Sequence, residues 1–234
     1  ARSAAMGFNR WADMRFDSMN PRTSVREIPS GKIKPRHALM FVTASSVLFI
    51  VSAALLNRLT FILSPVALII ILGYSYTKRF TALCHLVLGL GLSLAPIGAY
   101  IAVTGSFALL PLIYSFIVLT WVSGFDIIYS LQDDQFDRET GLYSIPAVMS
   151  RSKALAVSII LHLISVFLVV VAGFAGHAGF IYWTGAAVFI VMLIYQHLIV
   201  RPDDLSRVNM AFGTTNGIAG VIFGLAVVLD LLLL

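Results

Sequence analysis

Long apolar runs separated by short polar connections set the character of the chain. They extend from Ala38 to Leu56, Leu59 to Tyr76, Ala82 to Val103, Phe107 to Tyr129, Ala154 to Ala175, Gly179 to Val200 and Ala211 to Leu234. Most approach the roughly 20 residues that a bilayer-spanning helix needs. The pattern therefore predicts an all-α, polytopic membrane bundle with seven full transmembrane helices. The second run is the shortest and contains Pro65; a proline is tolerated in a membrane helix when neighbours satisfy the carbonyl it frees. Composition agrees: 59% of the 234 residues are hydrophobic and 12% charged, against roughly 45–50% and about 25% in soluble domains. The lipid bilayer is the expected partner of most of this surface, and residues 1–234 are expected to form one membrane-embedded domain.

The polar connections are not equivalent. Arg22, Arg26, Lys32, Lys34 and Arg36 precede the first run, and Lys78 and Arg79 follow the second. Arg138, Arg151 and Lys153 follow the fourth, and Arg201 and Arg207 follow the sixth. The alternate connections carry only Arg58. By the positive-inside rule the charged loops are cytoplasmic and the C-terminus lies opposite, which predicts an integral membrane protein with its polar loops on the cytoplasmic side; the expected membrane is a bacterial inner membrane. The acids share that face except for Asp230. This topology accounts for the net charge of +5, so no nucleic-acid partner is implied.

The single cysteine, Cys84, excludes an internal disulfide and reads as packing. Five histidines, at positions 37, 85, 162, 177 and 197, are scattered with no pair at ligand spacing within a span, and none is assigned to catalysis. Small residues at Gly89, Gly91, Gly98, Gly213, Gly217 and Gly220 are expected to let helices approach closely.

Candidate chemistry lies in two acidic segments. Asn9, Asp13 and Asp17 recur every four residues, and Asp126, Tyr129, Asp133 and Asp137 follow at intervals of three, four and four. On an α-helix each set forms one stripe; Asn20-Pro21 ends the first helix, and Gly141 and Pro146 break the second. A charge run at a helix end is commonly a solvated face, but two matched pairs of aspartates at one membrane level fit a metal-bound anion better. Magnesium suits them, because it takes a few carboxylates and completes its octahedron with water or phosphate oxygens. Arg22, Arg26, Lys78, Arg79, Arg138 and Lys153 stand where they could bind diphosphate oxygens, although each also satisfies the positive-inside rule.

With those residues in view, the chain resembles the UbiA superfamily of intramembrane aromatic prenyltransferases. The segment from Asn9 through Asp17 to Gly31 looks like the first signature, Tyr74 to Arg79 is similar to the Tyr-x3-Lys element, and Asp126 through Gly141 to Pro146 looks like the second signature. The phrasing is nearest the 4-hydroxybenzoate polyprenyltransferase branch or its menaquinone-pathway relatives. The resemblance implies nine spanning helices around a lipid-open cavity, so the chain is expected to lack the first helix and most of the second. Arg10 replaces an aspartate that many members carry after the motif asparagine.

The resemblance also implies an activity: Mg2+-dependent transfer of a polyprenyl group from polyprenyl diphosphate to an aromatic acid acceptor such as 4-hydroxybenzoate, or a dihydroxynaphthoate, in respiratory-quinone biosynthesis. Asn9, Asp13, Asp17, Asp133 and Asp137 would hold the metal. Lys78 and the arginines would bind the leaving diphosphate, Asp126 would act as base or orienting group, and Tyr129 and Tyr74 would line the cavity, unless the tyrosines only anchor the membrane interface. Rival readings are a cation-binding membrane transporter, a CDP-alcohol phosphotransferase and a non-catalytic homologue. The acids lie at one face, not the midplane, and the phosphotransferase signature is absent.

Overall fold

A computed structural model describes residues 1–233, so Leu234, the end of the seventh predicted run, lies outside the described residues. Two short helices, α1 (Arg2–Ala12) and α2 (Met14–Met19), lead into a loop and then α3 (Pro35–Leu56), α4 (Arg58–Thr77), α5 (Cys84–Thr104) and α6 (Leu109–Ser130). A 3-10 turn (Leu131–Asp133), α7 (Asp134–Glu139) and α8 (Ile145–Val148) form the connection to α9 (Arg151–Ala175). The chain ends with α10 (Phe180–Ile199), a π-helical turn (Met210–Thr215) and α11 (Asn216–Leu233). Among the described residues seven helices are long and apolar enough to cross a membrane, as the hydropathy pattern predicts.

The two prolines in helix interiors, Pro65 and Pro96, each have a nearby hydroxyl that meets a backbone group. Pro65 cannot bond the carbonyl of Phe61 four residues back, and the Ser64 hydroxyl donates to that carbonyl at 2.9 Å. Below Pro96, the Ile97 amide donates to Ser115 Oγ on α6 at 3.2 Å. Each helix continues through its proline because the polar backbone group has a partner inside the bundle.

Sequence neighbours pack together, with α6 between α5 and α9, α10 against α11, and α1 against α3 and α4. One core, around Ile117, Val169, Phe189 and Phe223, joins α6, α9, α10 and α11. A second, around Ile127, Leu131, Ile145, Leu155 and Val208, fastens the 131–150 connection to the helix ends. Of the glycines expected at close approaches, Gly89 is pressed on α6, where an added Cβ would sit 2.5 Å from the Leu119 carbonyl oxygen, and Gly220 faces Trp121 at 2.8 Å. Gly91 makes an ordinary contact, whereas Gly98, Gly213 and Gly217 have open space beside them; for these three the packing expectation fails, since no neighbouring atom lies within 4 Å of where a Cβ would stand.

The two ends of the bundle differ. At one, the short connections are closed by polar caps: Asn57 Oδ1 accepts the Thr60 amide at 2.9 Å while its Nδ2 donates to the Ile101 carbonyl at 2.8 Å. At the other, the long charged connections bind one another. The Tyr143 amide donates to the Lys78 carbonyl at 2.7 Å, and Arg79 Nη2 donates to the Ala12 carbonyl at 2.6 Å.

Candidate active site

The charged end encloses a cavity of about 220 Å3. Both acidic segments reach it, but neither as one uninterrupted helical stripe. The first is jointed at Asp13, which ends α1 and begins α2 with φ −94° and ψ 4°. Hydrogen bonding runs on through the joint: the Asp13 amide donates to the Asn9 carbonyl at 2.9 Å, and the Asp17 amide to the Asp13 carbonyl at 2.8 Å. Asn9 Nδ2 donates to Asp13 Oδ2 at 3.0 Å, so Asn9, Asp13 and Asp17 still face the cavity together.

The second segment departs further from expectation. Asp126, Tyr129 and Asp133 line the cavity. A 3-10 turn advances fewer residues per revolution than an α-helix, and the one at Leu131–Asp133 carries the following residues off the stripe. Asp137 is wholly buried and lies outside the cavity wall, where its Oδ1 stands 2.7 Å from Lys78 Nζ and its Oδ2 accepts the Ser144 hydroxyl at 2.8 Å.

Four carboxylates of the two segments, Asp13, Asp17, Asp133 and Asp137, have a lysine or arginine partner, and Asp126 does not. Arg22 grips Asp133 in a fork, with Nε donating to Oδ1 at 3.0 Å and Nη2 to Oδ2, while Nη1 donates to the Tyr129 hydroxyl at 2.8 Å. Asn20 Nδ2 adds a bond to Asp133 Oδ1 at 3.0 Å. Arg26 Nη1 donates to Asp17 Oδ1 at 2.7 Å, and Arg79 stands 3.6 Å from Asp13 Oδ1 while its guanidinium lies over Tyr76. Burial alone would lower the Arg22 and Lys78 acidities' midpoints, but Asp133 and Asp137 respectively outweigh it, and both groups are held further toward their charged forms. Asp13 is pushed the other way: burial, then the neighbouring charge of Asp17, hold its carboxyl above the ordinary range despite Arg79 and Lys78.

The donor set fits a hard divalent cation. Asn9, Asp13, Asp17 and Asp133 offer carboxylate and amide oxygens to one cavity, and Asp17 Oδ2 is buried with no hydrogen-bond partner. Among the described residues no three acidic, histidine or cysteine side chains converge closely enough to hold a metal alone, so water or substrate oxygens would have to complete the shell, as magnesium prefers.

Two residues expected at a diphosphate are elsewhere. Arg138 donates to Asp134 at 3.4 Å and to the Pro146 carbonyl at 3.2 Å, because Asp134, turned inward after the 3-10 turn, also accepts a fork from Arg151 at 2.9 Å on each oxygen. Lys153 is exposed in the first turn of α9. Neither lines the cavity. Conversely, His85 does: its Nδ1 lies 2.7 Å from Asp126 Oδ2. Sequence reasoning passed over it because its partner is 41 residues away. A titratable side chain at the start of an apolar span was the available signal.

The UbiA prenyltransferase family model matches residues 1–226. The chain belongs to this UbiA prenyltransferase family. It is 31% identical over 234 residues to the 4-hydroxybenzoate octaprenyltransferase of Nitrosospira multiformis, covering 99% of this chain and 79% of that one. The enzyme of the same name from Aeromonas salmonicida is 29% identical over 99% of this chain and 80% of its own. Among solved structures, a UbiA homolog from Aeropyrum pernix K1 superimposes with a TM-score of 0.90 at 35% identity, covering 98% of this chain and 85% of that one. A UbiA homolog from Archaeoglobus fulgidus bound to GPP and Mg2+ shares the fold, with a TM-score of 0.70 at 18% identity over 96% and 82% of the two chains. The protein is thus an integral-membrane, all-helical UbiA-family prenyltransferase, and the transporter and phosphotransferase readings fall away.

Proposed function

We propose that this UbiA-family protein transfers a polyprenyl group from polyprenyl diphosphate to 4-hydroxybenzoate, with Mg2+, in respiratory-quinone biosynthesis. The observation that carries this reading is the convergence of both aspartate segments and four cations around one cavity whose deeper wall holds Asp126. The names of the Nitrosospira and Aeromonas relatives support the acceptor, and the ligands of the Archaeoglobus homolog support the diphosphate and the metal.

Asn9, Asp13, Asp17 and Asp133 are the residues that would hold the cation, which when bound neutralises charge on the departing diphosphate. Lys78, Arg79, Arg22 and Arg26 bind diphosphate oxygens by leaving their carboxylate partners. Asp137 holds Lys78 at the cavity edge until the diphosphate arrives. The allylic C1–O bond breaks with its electron pair leaving on the diphosphate. The ring carbon beside the phenol hydroxyl then bonds to C1, and its proton goes to Asp126. Aromatic walls exclude water that would otherwise capture the allyl cation; Tyr129, stacked on Phe212 with ring centres 4.1 Å apart, forms one of them. The excess of Lys and Arg at the charged end supports a cytoplasmic orientation of the site, and the Nitrosospira and Aeromonas relatives support a bacterial inner membrane.

Membranes containing the protein are incubated with magnesium, labelled polyprenyl diphosphate and either 4-hydroxybenzoate or a dihydroxynaphthoate, beside an Asp133→Ala control. The expected result is prenylated 4-hydroxybenzoate that disappears with chelator and in the control. Product from the naphthoate alone would replace the acceptor, and none from either would overturn the quinone reading.

A further inference from the structure

His85 opens α5 at the floor of the cavity, with its side chain 3% exposed. Its Nε2 accepts the backbone amide of Ile145 at 3.2 Å. A ring nitrogen that accepts carries no proton, so the hydrogen of the neutral imidazole is on Nδ1, and that hydrogen points at Asp126 Oδ2, 2.7 Å away. The backbone carbonyl of His85 accepts the Ser123 hydroxyl at 3.1 Å, and Gly89, one turn further along α5, lies where any side chain would strike Ser123 and the Leu119 carbonyl. The close approach of α5 to α6 is therefore what brings the imidazole to the carboxylate.

The position along α6 matters as much as the pairing. Asp126 precedes Asp133 by seven residues, about 10 Å at the helical rise, so it lies well below the diphosphate end of the cavity. Its side chain keeps 21% exposure and lines the cavity, and among the described residues its Oδ1 has no hydrogen-bond partner. One oxygen of this cavity-lining carboxylate is tied to His85, and the other is not.

We propose that His85 is a positioning residue for Asp126: its Nδ1–H holds Oδ2, so that Oδ1 is aimed at the acceptor and takes the proton from the ring carbon that has bonded to prenyl C1. This inference rests on the prenyl-transfer reading above. In the step, the ring C–H bond breaks, its electrons restore the aromatic ring, the proton passes to Oδ1, and His85 stays neutral throughout. The Ile145 amide fixes the tautomer, so the connection that closes over the cavity also sets the base.

The test compares His85→Ala and His85→Asn in the full chain, purified in detergent, with 4-hydroxybenzoate deuterated at both ring positions beside the hydroxyl. Asn offers an amide donor at the height of Nδ1, whereas Ala offers none. Size-exclusion elution and binding of geranyl diphosphate with magnesium report the fold. Expected are a loss in kcat of about 100-fold for Ala, the lower range for a misplaced general base, with KM for the diphosphate unchanged within twofold. A primary deuterium effect should appear in the Ala variant that wild type and Asn lack, and Asn should recover most of the rate. An Ala variant that is folded and slow without an isotope effect, or an Asn variant no better than Ala, overturns the positioning role. If Ala fails to fold, Asn decides alone: near-wild-type kcat supports the proposal and a rate below one-tenth overturns it. Wild-type protein that prenylates no arene at all overturns the prenyl-transfer reading, and the role of His85 with it.

Discussion

Asp230 on α11 caps a helix other than its own: Oδ1 accepts the Tyr182 amide at 3.1 Å, and Oδ2 accepts the Gly179 amide at 2.7 Å, at the start of α10. A helix begins with unpaired amides and a partial positive charge, and here both are met by a carboxylate buried to 5% exposure. This explains the only acid away from the charged end. Asp230→Ala should leave two buried amides unmet and lower stability by about 1–3 kcal/mol, read as a fall in detergent melting temperature. Asp230→Asn, which retains an acceptor, should lose less.

The fork between Arg22 and Asp133 makes a different demand. Replacing Asp133 by Ala removes a carboxylate of the proposed magnesium site and releases Arg22 from Asp133. Prenyl transfer should fall by at least about 100-fold, measured with labelled diphosphate, whereas a change confined to surface charge would leave the rate within severalfold.

Lys78 and Asp137 should behave as a unit. Lys78→Met strands a carboxylate with no exposed surface, and an uncompensated buried charge costs about 3–5 kcal/mol. Adding Asp137→Asn should restore much of the melting temperature but none of the affinity for diphosphate. A double variant as unstable as Lys78→Met would show that the pair does not set stability, and one that bound diphosphate normally would remove Lys78 from the site.

Asp13 gives a pH dependence. Its carboxyl is held above the ordinary range, mainly by burial and then by Asp17, so the folded state binds its proton more tightly than the unfolded chain does. That contribution is fully present below the ordinary carboxylate value and is lost as pH rises through the raised one. Above that raised value the ionised Asp13 is a net cost, so the melting temperature of Asp13→Asn relative to wild type should climb as pH rises through the raised value and fall back at pH below the ordinary carboxylate value, while prenyl transfer drops. A gap that is constant with pH would contradict this account.

Hydropathy alone located the membrane helices, because a spanning segment needs only length and apolar content, both visible in one dimension. Asn9, Asp13, Asp17, Asp126, Tyr129 and Asp133 could be assigned to one cavity because helical spacing survives the joint at Asp13. Asp137 and Arg138 could not. A three-residue 3-10 turn leaves no mark in the spacing of aspartates, yet it turned Asp137 from the cavity toward Lys78 and sent Arg138 to Asp134 and the Pro146 carbonyl. His85 was illegible for another reason: its significance depends on Gly89 letting α5 approach α6, a contact between segments that no local pattern encodes.

The pairing of four motif carboxylates with a lysine or arginine has a kinetic side. Asp13, Asp17, Asp133 and Asp137 stand opposite Arg79, Arg26, Arg22 and Lys78, so the resting chamber behaves like a loaded ion exchanger. On the proposed reading an incoming metal–diphosphate would trade partners with charges already in place instead of entering a bare, repelling pocket, and the same trade run backward would let the spent diphosphate leave. Turnover would then depend on how readily four side chains let go, and the grip of Arg22 on Asp133, the most elaborate of the four, would be the latch on that proposed cycle.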